Sequence, residues 1–526
     1  MPGVFSYSLS PFKNDFSKEH LLHLLRRSLF GVGFKEFIFF KEKSLDRCLD
    51  ILVQQSPVSP PVKQGNNELK DPFVAEGDTW VNAPFENTVI DTRRRLMLKM
   101  WWVEHIVNRD YSLTEKMTLF WHNHFVTEMD IVKDSRYSYQ YVAMLRSNAL
   151  GNFKQIVREG TTNVAMLVYL NGNNNSKSAP NENFSRELME LFTLGKTADV
   201  HYTEEDVKAA ARVLSGWKDD KESIKARFYP DLHDTNDKKF SPYFEDEIIK
   251  GRSGTEGMKE IDALVDMIFK RRETAKFVCR NIYRWFVTAQ IDEQAEKQII
   301  EPLAQIFIDN RFEIAPVLRT LLGSEHFFDA AFRGCIVKNP VEYFLGSMQQ
   351  FDILTASKLA GNHEIWIDFY VYLGFMSMDI GNPPSVAGWP AYYQAPKFHQ
   401  WWINSSTLSL RSKVLNDLCT QEGLFFNGVS FNFNFIPFVK QLEKPSVAEK
   451  LTSDAVQFLC AANVNPAEKS KLIAALNAEG QSNKSWSSVW NQYIAKPDDT
   501  ANLSEVENRL RLFFKRIINM PEYQMM

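Results

Sequence analysis

Glu187 and His124 are the two side chains whose positions, read as helices, call for chemistry. The run 180–195, PNENFSRELMELFTLG, reads as a short helix. Asn181 can accept a hydrogen bond from a free backbone N–H at its start, and Gly195 suits the residue just past its end. At about 100° per residue, Phe184, Leu188 and Leu191 form one apolar stripe, with Glu187 at its edge between Leu191 and Leu194. Glu182, Arg186 and Glu190 follow one another on the far side as a solvated charge ladder. A carboxylate on an apolar face must find a partner, a metal ion or a proton. The spacing therefore predicts a mostly inaccessible Glu187 beside largely exposed Glu182 and Arg186.

A second helix carries a histidine in the same kind of place. Ser112-Leu113-Thr114-Glu115 has the capping-box pattern. Beyond it, Leu113, Met117, Phe120, Trp121 and Phe125 share one side with His124 in their midst, while His122 points roughly 160° away. Two histidines share a helical face at a spacing of three or four, so His122 and His124 are not a simple chelate unless the helix ends near Asn123. Three readings stay open. His124 and Glu187 form a structural pair, with each other or with an arginine. His122, His124 and Glu187, with Glu190 near by, hold a divalent zinc, iron or manganese ion, as inward His and Glu do in helical bundles. Or His124 and Glu187 do metal-free acid/base work, since carboxylates at functional sites often have raised pKa values. In each case the two are expected to converge at the floor of a cleft that Trp389 helps to close.

Three further constellations could bind or react. His233-Asp234 lies in an irregular polar segment; such a dyad ligates metal in some phosphohydrolases and otherwise caps a turn. The loop 381–404 brings Trp389, Tyr392, Tyr393, Trp401 and Trp402 near Asn382 and Asn404, a composition suited to sugar rings or to a rigid plug fixed by Pro383 and Pro384. His23, Arg26 and Arg27 form a basic cluster, and arginine forks onto carboxylate or phosphate. Arg26, Arg27, Asn181, Trp389 and Trp402 are thus the binding candidates, and His124, Glu187, His233 and Asp234 the catalytic ones. The chain has no Walker loop, dinucleotide glycine fingerprint, His-Glu-x-x-His or Gly-x-Ser-x-Gly elbow.

The elements that position these residues are helical. Helical patterns cover 18–30, 45–53, 92–107, 136–148 and 152–159, then 203–215, where Thr203 and Asp206 form a capping box. A second block covers 261–271, 273–287, 293–310 with Pro302 expected to kink or split it, 314–322 and 341–351. Segments 401–419 and 504–518 complete the set. Residues 54–90 read as a long Pro-rich loop, and 425–433, alternating around Asn427-Gly428, as a small hairpin. The fold expected is mostly α, in two main helical lobes. The composition divides it into 1–217, a polar connector at 218–258, 259–420, and a C-terminal extension at 421–526.

With 526 residues the chain is too long for one ordinary core, and 44% hydrophobic with 24% charged residues is ordinary globular composition. A net charge of −4 lacks the basic excess that nucleic-acid phosphates require, and Arg93-Arg94-Arg95 reads as a solvated helix face. Cys48, Cys279, Cys335, Cys419 and Cys460 are widely spaced and odd in number, which fits neither a zinc site nor a disulfide framework. The first sixteen residues lack an apolar h-region, and no run of about twenty apolar residues occurs, so a cytoplasmic location without a membrane span is expected.

Five segments carry a resemblance. They are HLLRRSLFG at 23–31; FWHNHF at 120–125; 181–195, followed by YTEED at 202–206 and Ser215-Gly216-Trp217; Phe228 with His233-Asp234; and NPPSVAGWP at 382–390, followed by Trp402-Ile403-Asn404. In this order they resemble the large bacterial family known as domain of unknown function 1800. The resemblance implies no established activity. Many relatives carry His where this chain has Phe192, which removes one candidate ligand. The genes of relatives often neighbour those of an uncharacterised family, number 1501, that is similar to sulfatases and alkaline phosphatases, and this implies a pathway partner. The functional expectation is a metal-assisted or acid/base hydrolase centred between the helices of the first lobe. The alternative is a non-catalytic glycan- or protein-binding or assembly protein that uses the aromatic loop at 381–404; the ligand expected is a small molecule or a glycan.

Overall fold

The computed structural model describes residues 6–63, 71–108, 110–359, 363–478 and 484–526. Residues 64–70 of the expected 54–90 loop and the first five of the N-terminal stretch lie outside these. Helices dominate: α1 (Lys18–Ser28), α2 (Thr88–Val107), α3 (Thr114–His124), α4 (Ser135–Ser147), α5 (Glu182–Glu187), α6 (Glu204–Val213), α7 (Arg272–Phe286), α8 (Ile365–Phe375), α9 (Ser405–Leu418) and α10 (Thr500–Ile518) frame the molecule among shorter ones. The expected hairpin is present as β5 (Leu424–Phe426) and β6 (Val429–Phe431), and Asn427 and Gly428 both take positive φ at its turn. The polar connector adds two more, β1 (Trp217–Asp220) with β2 (Lys225–Phe228) and β3 (Lys238–Lys239) with β4 (Ile248–Ile249). Their strands are too short, and too rich in lysine and aspartate, to show a period-2 apolar signal.

One buried apolar cluster runs from Leu21 to Tyr523, so packing crosses the segments that composition separates. Arg27 of α1 donates to the carbonyl of Phe332 at 2.5 Å, and His23 shares a hydrogen bond with the carbonyl of Phe327 at 3.0 Å. Gly31 permits a close backbone approach: a Cβ there would sit 2.6 Å from the Cα of Gly346. A buried charged link ties Lys116 of α3 to Glu342 at 2.7 Å. Glu342 also receives the Asn339 N–H at 3.0 Å, while its own N–H donates to Asn339 Oδ1 at 2.9 Å, a reciprocal cap on the helical turn that follows.

Several local readings are corrected. Every residue of α3 from Thr114 to His124 is buried, so the helix has no solvent side and His122 is as enclosed as His124. Glu115 forms no capping box: it pairs with buried Arg146, and Ser112 Oγ instead accepts the Thr114 N–H at 3.1 Å. Arg94 and Arg95 are buried against Asp71 and Asp91 rather than solvated. The 293–310 helix is interrupted not at Pro302 but just before it, by a π-helical turn at Glu296–Ile300.

Removing one partner of a buried ion pair strands the other. Lys116→Met is expected to destabilise the protein by roughly 3–5 kcal/mol, and Lys116→Met with Glu342→Leu to recover most of that loss. Urea midpoints of the two variants beside wild type check this; equal midpoints for the single and double variants would contradict it.

Candidate functional site

The helix that carries Glu187 does not keep its 3.6-residue period. After α5 the chain widens into a π-helical turn, Leu188–Thr193, fixed by Thr193 Oγ1 donating to the carbonyl five residues back, on Leu188, at 2.6 Å. The extra residue in that turn shifts the phase of all that follows. Glu187, the last residue before that turn, is half-buried rather than inaccessible, and has no hydrogen-bond partner among the described residues. Burial raises its pKa, with neighbouring Glu190 adding to the effect. Glu182 and Arg186 are half-exposed, and Arg186 forks onto Glu204 at 2.7 and 2.6 Å. Glu190 and Glu342, not Glu187, are carboxylates that share a cavity with His124. Asn181 caps α5 by accepting the Asn183 N–H at 3.0 Å, and donates to the carbonyl of Asn171 at 2.9 Å.

That cavity, of about 250 Å³, lies where the end of α3, one face of α7, the π turn and the 387–402 segment meet. From α7 it receives Phe277, Asn281 and Arg284, spaced four and then three residues apart on one helical face. Phe120, Asn123 and His124 enter from α3, Tyr392, His399 and Trp402 from the loop. Trp285 and Tyr392 stack at 4.2 Å between ring centres and form one wall. Lys196 pairs with Glu190 at 3.2 Å, its own side chain largely exposed.

Hydrogen bonds to backbone groups fix two tautomers. His124 Nε2 lies 2.9 Å from the carbonyl of Phe192, so it carries the hydrogen and Nδ1 is left as an acceptor, approached by the Asn281 amide at 3.4 Å. Burial pushes the His124 pKa down to about 4, against that carbonyl contact. His399 has the opposite tautomeric constraint: Nδ1 accepts the Val337 N–H at 3.1 Å, which leaves Nε2–H as a donor. Burial, helped by the charge of Arg27, pushes His399 down to about 4 as well. Both rings are neutral at pH 7.

Asn123 joins α3 to the aromatic loop. Its Oδ1 accepts the Trp389 N–H at 2.9 Å, and Gly388, at φ +90°, lies so close that a Cβ would sit 2.3 Å from that oxygen. Trp389 is 1% exposed and Trp402 3%, so neither offers a surface platform for a sugar; burial by the surrounding loop is the physical reason. The outward ring is Trp401, at 40%, above a second groove shared with Asn382 and Asn404.

The remaining candidates are tied into the scaffold. His122 is enclosed between Trp102, edge-on at 5.0 Å, and Trp389, with neither ring nitrogen hydrogen-bonded; burial pushes it down to about 3. Among the described residues no three His, Cys, Asp or Glu side chains converge as a metal would need, so His122, His124 and Glu187 do not form the expected ligand set. His233 lies between the Ser215 carbonyl at 2.9 Å and Glu260 at 3.1 Å, remote in its contacts from the cavity. Burial pushes the Asp234 carboxyl up, but the Arg212 fork and the Asn236 amides outweigh this and hold it at about 2. Arg26 donates to the carbonyls of Gln457 and Phe458 at 2.7 and 3.0 Å, so Arg26 and Arg27 both serve backbone carbonyls rather than an anion.

Comparison with family models decides the relationship: the model described as protein of unknown function (DUF1800) matches residues 23–525. The chain belongs to the DUF1800 family. No curated protein matches it, and no solved structure does. No described helix of this DUF1800 chain is long and apolar enough to cross a membrane. The family's quoted segments FWHNHF and NPPSVAGWP prove to be the two sides of the Asn123–Gly388–Trp389 contact. Arg284, Asn281 and His399 lie outside those segments, and only the one-face spacing of 277, 281 and 284 could have pointed to them.

The depressed histidines set an acid sensitivity. Unfolded histidine takes up its proton near pH 6.5, whereas His122 and His124 resist until about 3 and 4. Between those values the unfolded state binds more protons, so stability falls as pH drops from about 6.5 towards 4 and levels off below about 3. His122→Leu, of similar volume and with no polar atom to strand, is expected to flatten that slope and to melt at or above wild type at pH 7. Thermal melts across pH 4–7 check it; an unchanged slope would contradict the account.

Proposed function

We propose that this DUF1800 chain binds a small organic molecule in the cavity between α3, α7 and the 387–402 segment. The observation that carries the reading is the gathering, from stretches near 120, 190, 281 and 400, of aromatic walls and a few fixed polar groups around one hollow. Mostly apolar lining with sparse, oriented donors and acceptors is the usual composition of ligand sites. This is the small-molecule form of the binding alternative, moved from the loop's outer surface to its inner side. Trp402 serves here as a wall and Trp389 as an anchor of the loop.

Acid/base hydrolysis is the second reading, favoured by one observation: His124, with Nδ1 as acceptor, and the Glu190 carboxylate line the same cavity. In that reading Glu190 takes the place first given to Glu187, and no metal ligand set among the described residues supports the metal-assisted form. A sulfatase-like partner of family 1501 would be a neighbour in reaction sequence, not a component of this site.

Ala387 lines the cavity one residue before the Gly388 contact, so a large side chain there fills it. A crystallographic screen of small fragments is expected to place hits in this cavity in wild type and none in Ala387→Phe. Hits confined to other surfaces, with this cavity empty in wild type, would overturn the proposal. Turnover of chromogenic esters or glycosides by wild type, lost in His124→Gln, would add catalysis to binding.

A further inference from the structure

We infer that the ligand of this cavity carries one negative charge, as a carboxylate, and that Arg284 receives it; this rests on reading the cavity as a small-molecule site. Arg284 is half-buried on the cavity face of α7. Among the described residues it makes no ion pair and no hydrogen bond, its Nε is occluded without a partner, and its guanidinium carbon lies 5.4 Å from the centre of the Phe398 ring. Burial disfavours its charge and nearby Arg280 adds to that, opposed only by Glu296.

The side-chain acids around it are already engaged. Glu296 is forked by Arg280 at 2.9 and 2.6 Å and reached by Lys276 at 3.3 Å. Glu342 is held by Lys116 at 2.7 Å and Glu190 by Lys196 at 3.2 Å. A cation withdrawn from water without a counter-charge is costly, and a fold keeps one where a bound partner supplies the charge.

The charge count sets the ligand's valence. The Glu190–Lys196 and Glu342–Lys116 pairs cancel, and His124 and His399 are neutral, each held at about 4. Among the lining side chains one positive charge remains, on Arg284. A dianionic phosphate monoester would leave the cavity net negative, whereas a carboxylate balances it and matches the planar guanidinium fork. Uncharged donors remain for further oxygens, among them His399 Nε2–H, since Nδ1 is taken by Val337, and the Asn123 amide nitrogen, since Oδ1 is taken by Trp389. The stacked Trp285–Tyr392 wall, with Phe277 and Trp402, suits a ring-bearing body.

Saturation-transfer NMR with phenylacetate, its neutral isostere phenylacetamide and the dianion phenyl phosphate tests this on wild type, Arg284→Gln and Arg284→Lys. Wild type is expected to prefer phenylacetate over the other two. Arg284→Gln should weaken phenylacetate by about tenfold or more and leave phenylacetamide within about twofold, with partial recovery in Arg284→Lys. Arg284→Gln is expected to melt at or above wild type, because it removes a half-buried charge without a counter-charge. Phenylacetamide bound as well as phenylacetate, or phenyl phosphate preferred, would overturn the inference while leaving the small-molecule reading intact. Binding of none of the three by wild type would remove both.

Discussion

The Trp389 N–H points into Asn123 Oδ1 at 2.9 Å, and Gly388 beside it leaves no room for a side chain. This contact ends α3 against the aromatic loop and fixes how far apart the two can stand. On one side of Asn123 the His122 ring is enclosed by Trp102 and Trp389; on the other, His124 turns towards Phe277 of α7. A residue with a Cβ at 388, or one without an acceptor at 123, would separate the surfaces that bound the cavity. The hollow is thus set by backbone contact distances, and its lining side chains inherit their positions from that frame.

Within the frame, the fold distributes charge unevenly. The interior pairs Lys116 with Glu342, Arg146 with Glu115 and Arg280 with Glu296, each with a short contact. Buried pairs of this kind specify geometry more than they add stability. Arg284 departs from the pattern within one turn of Arg280, which places the departure at the cavity and not at random on the surface. The π turn at Leu188–Thr193 is the second departure, and it contributes Glu190 and Leu191 to the same space. Such turns are often found where function requires a helix to give up regularity.

What the sequence made legible follows the strength of local signals. Asn181, the Thr203–Asp206 box, Gly195 at φ +77° and the Asn427-Gly428 turn are where local backbone chemistry placed them. The identity of the Asn123 segment and the Gly388-Trp389 segment as important was legible as family pattern, but their mutual contact was not, because 266 residues separate them. The phase of Glu187 against Leu191 and Leu194 was misread because the π turn between them leaves no periodic trace in six residues. His122, roughly 160° from the apolar side, is enclosed all the same because the helix is buried on every face. Arg284 was passed over because an arginine in an ordinary amphipathic helix looks paired; only knowing where Glu296, Glu342 and Glu190 spend their charge shows that it is not.

Hydrogen exchange at the Trp389 amide tests the central contact most directly. A backbone N–H buried against a side-chain oxygen exchanges slowly, and one in a free loop does not. In wild type the Trp389 amide is predicted to be protected to the level of the α3 amides, and in Asn123→Ala to exchange orders of magnitude faster while amides of α10, far along the chain, keep their protection. Rapid exchange of Trp389 in wild type, or protection unchanged in Asn123→Ala, would contradict the account of how this cavity is held.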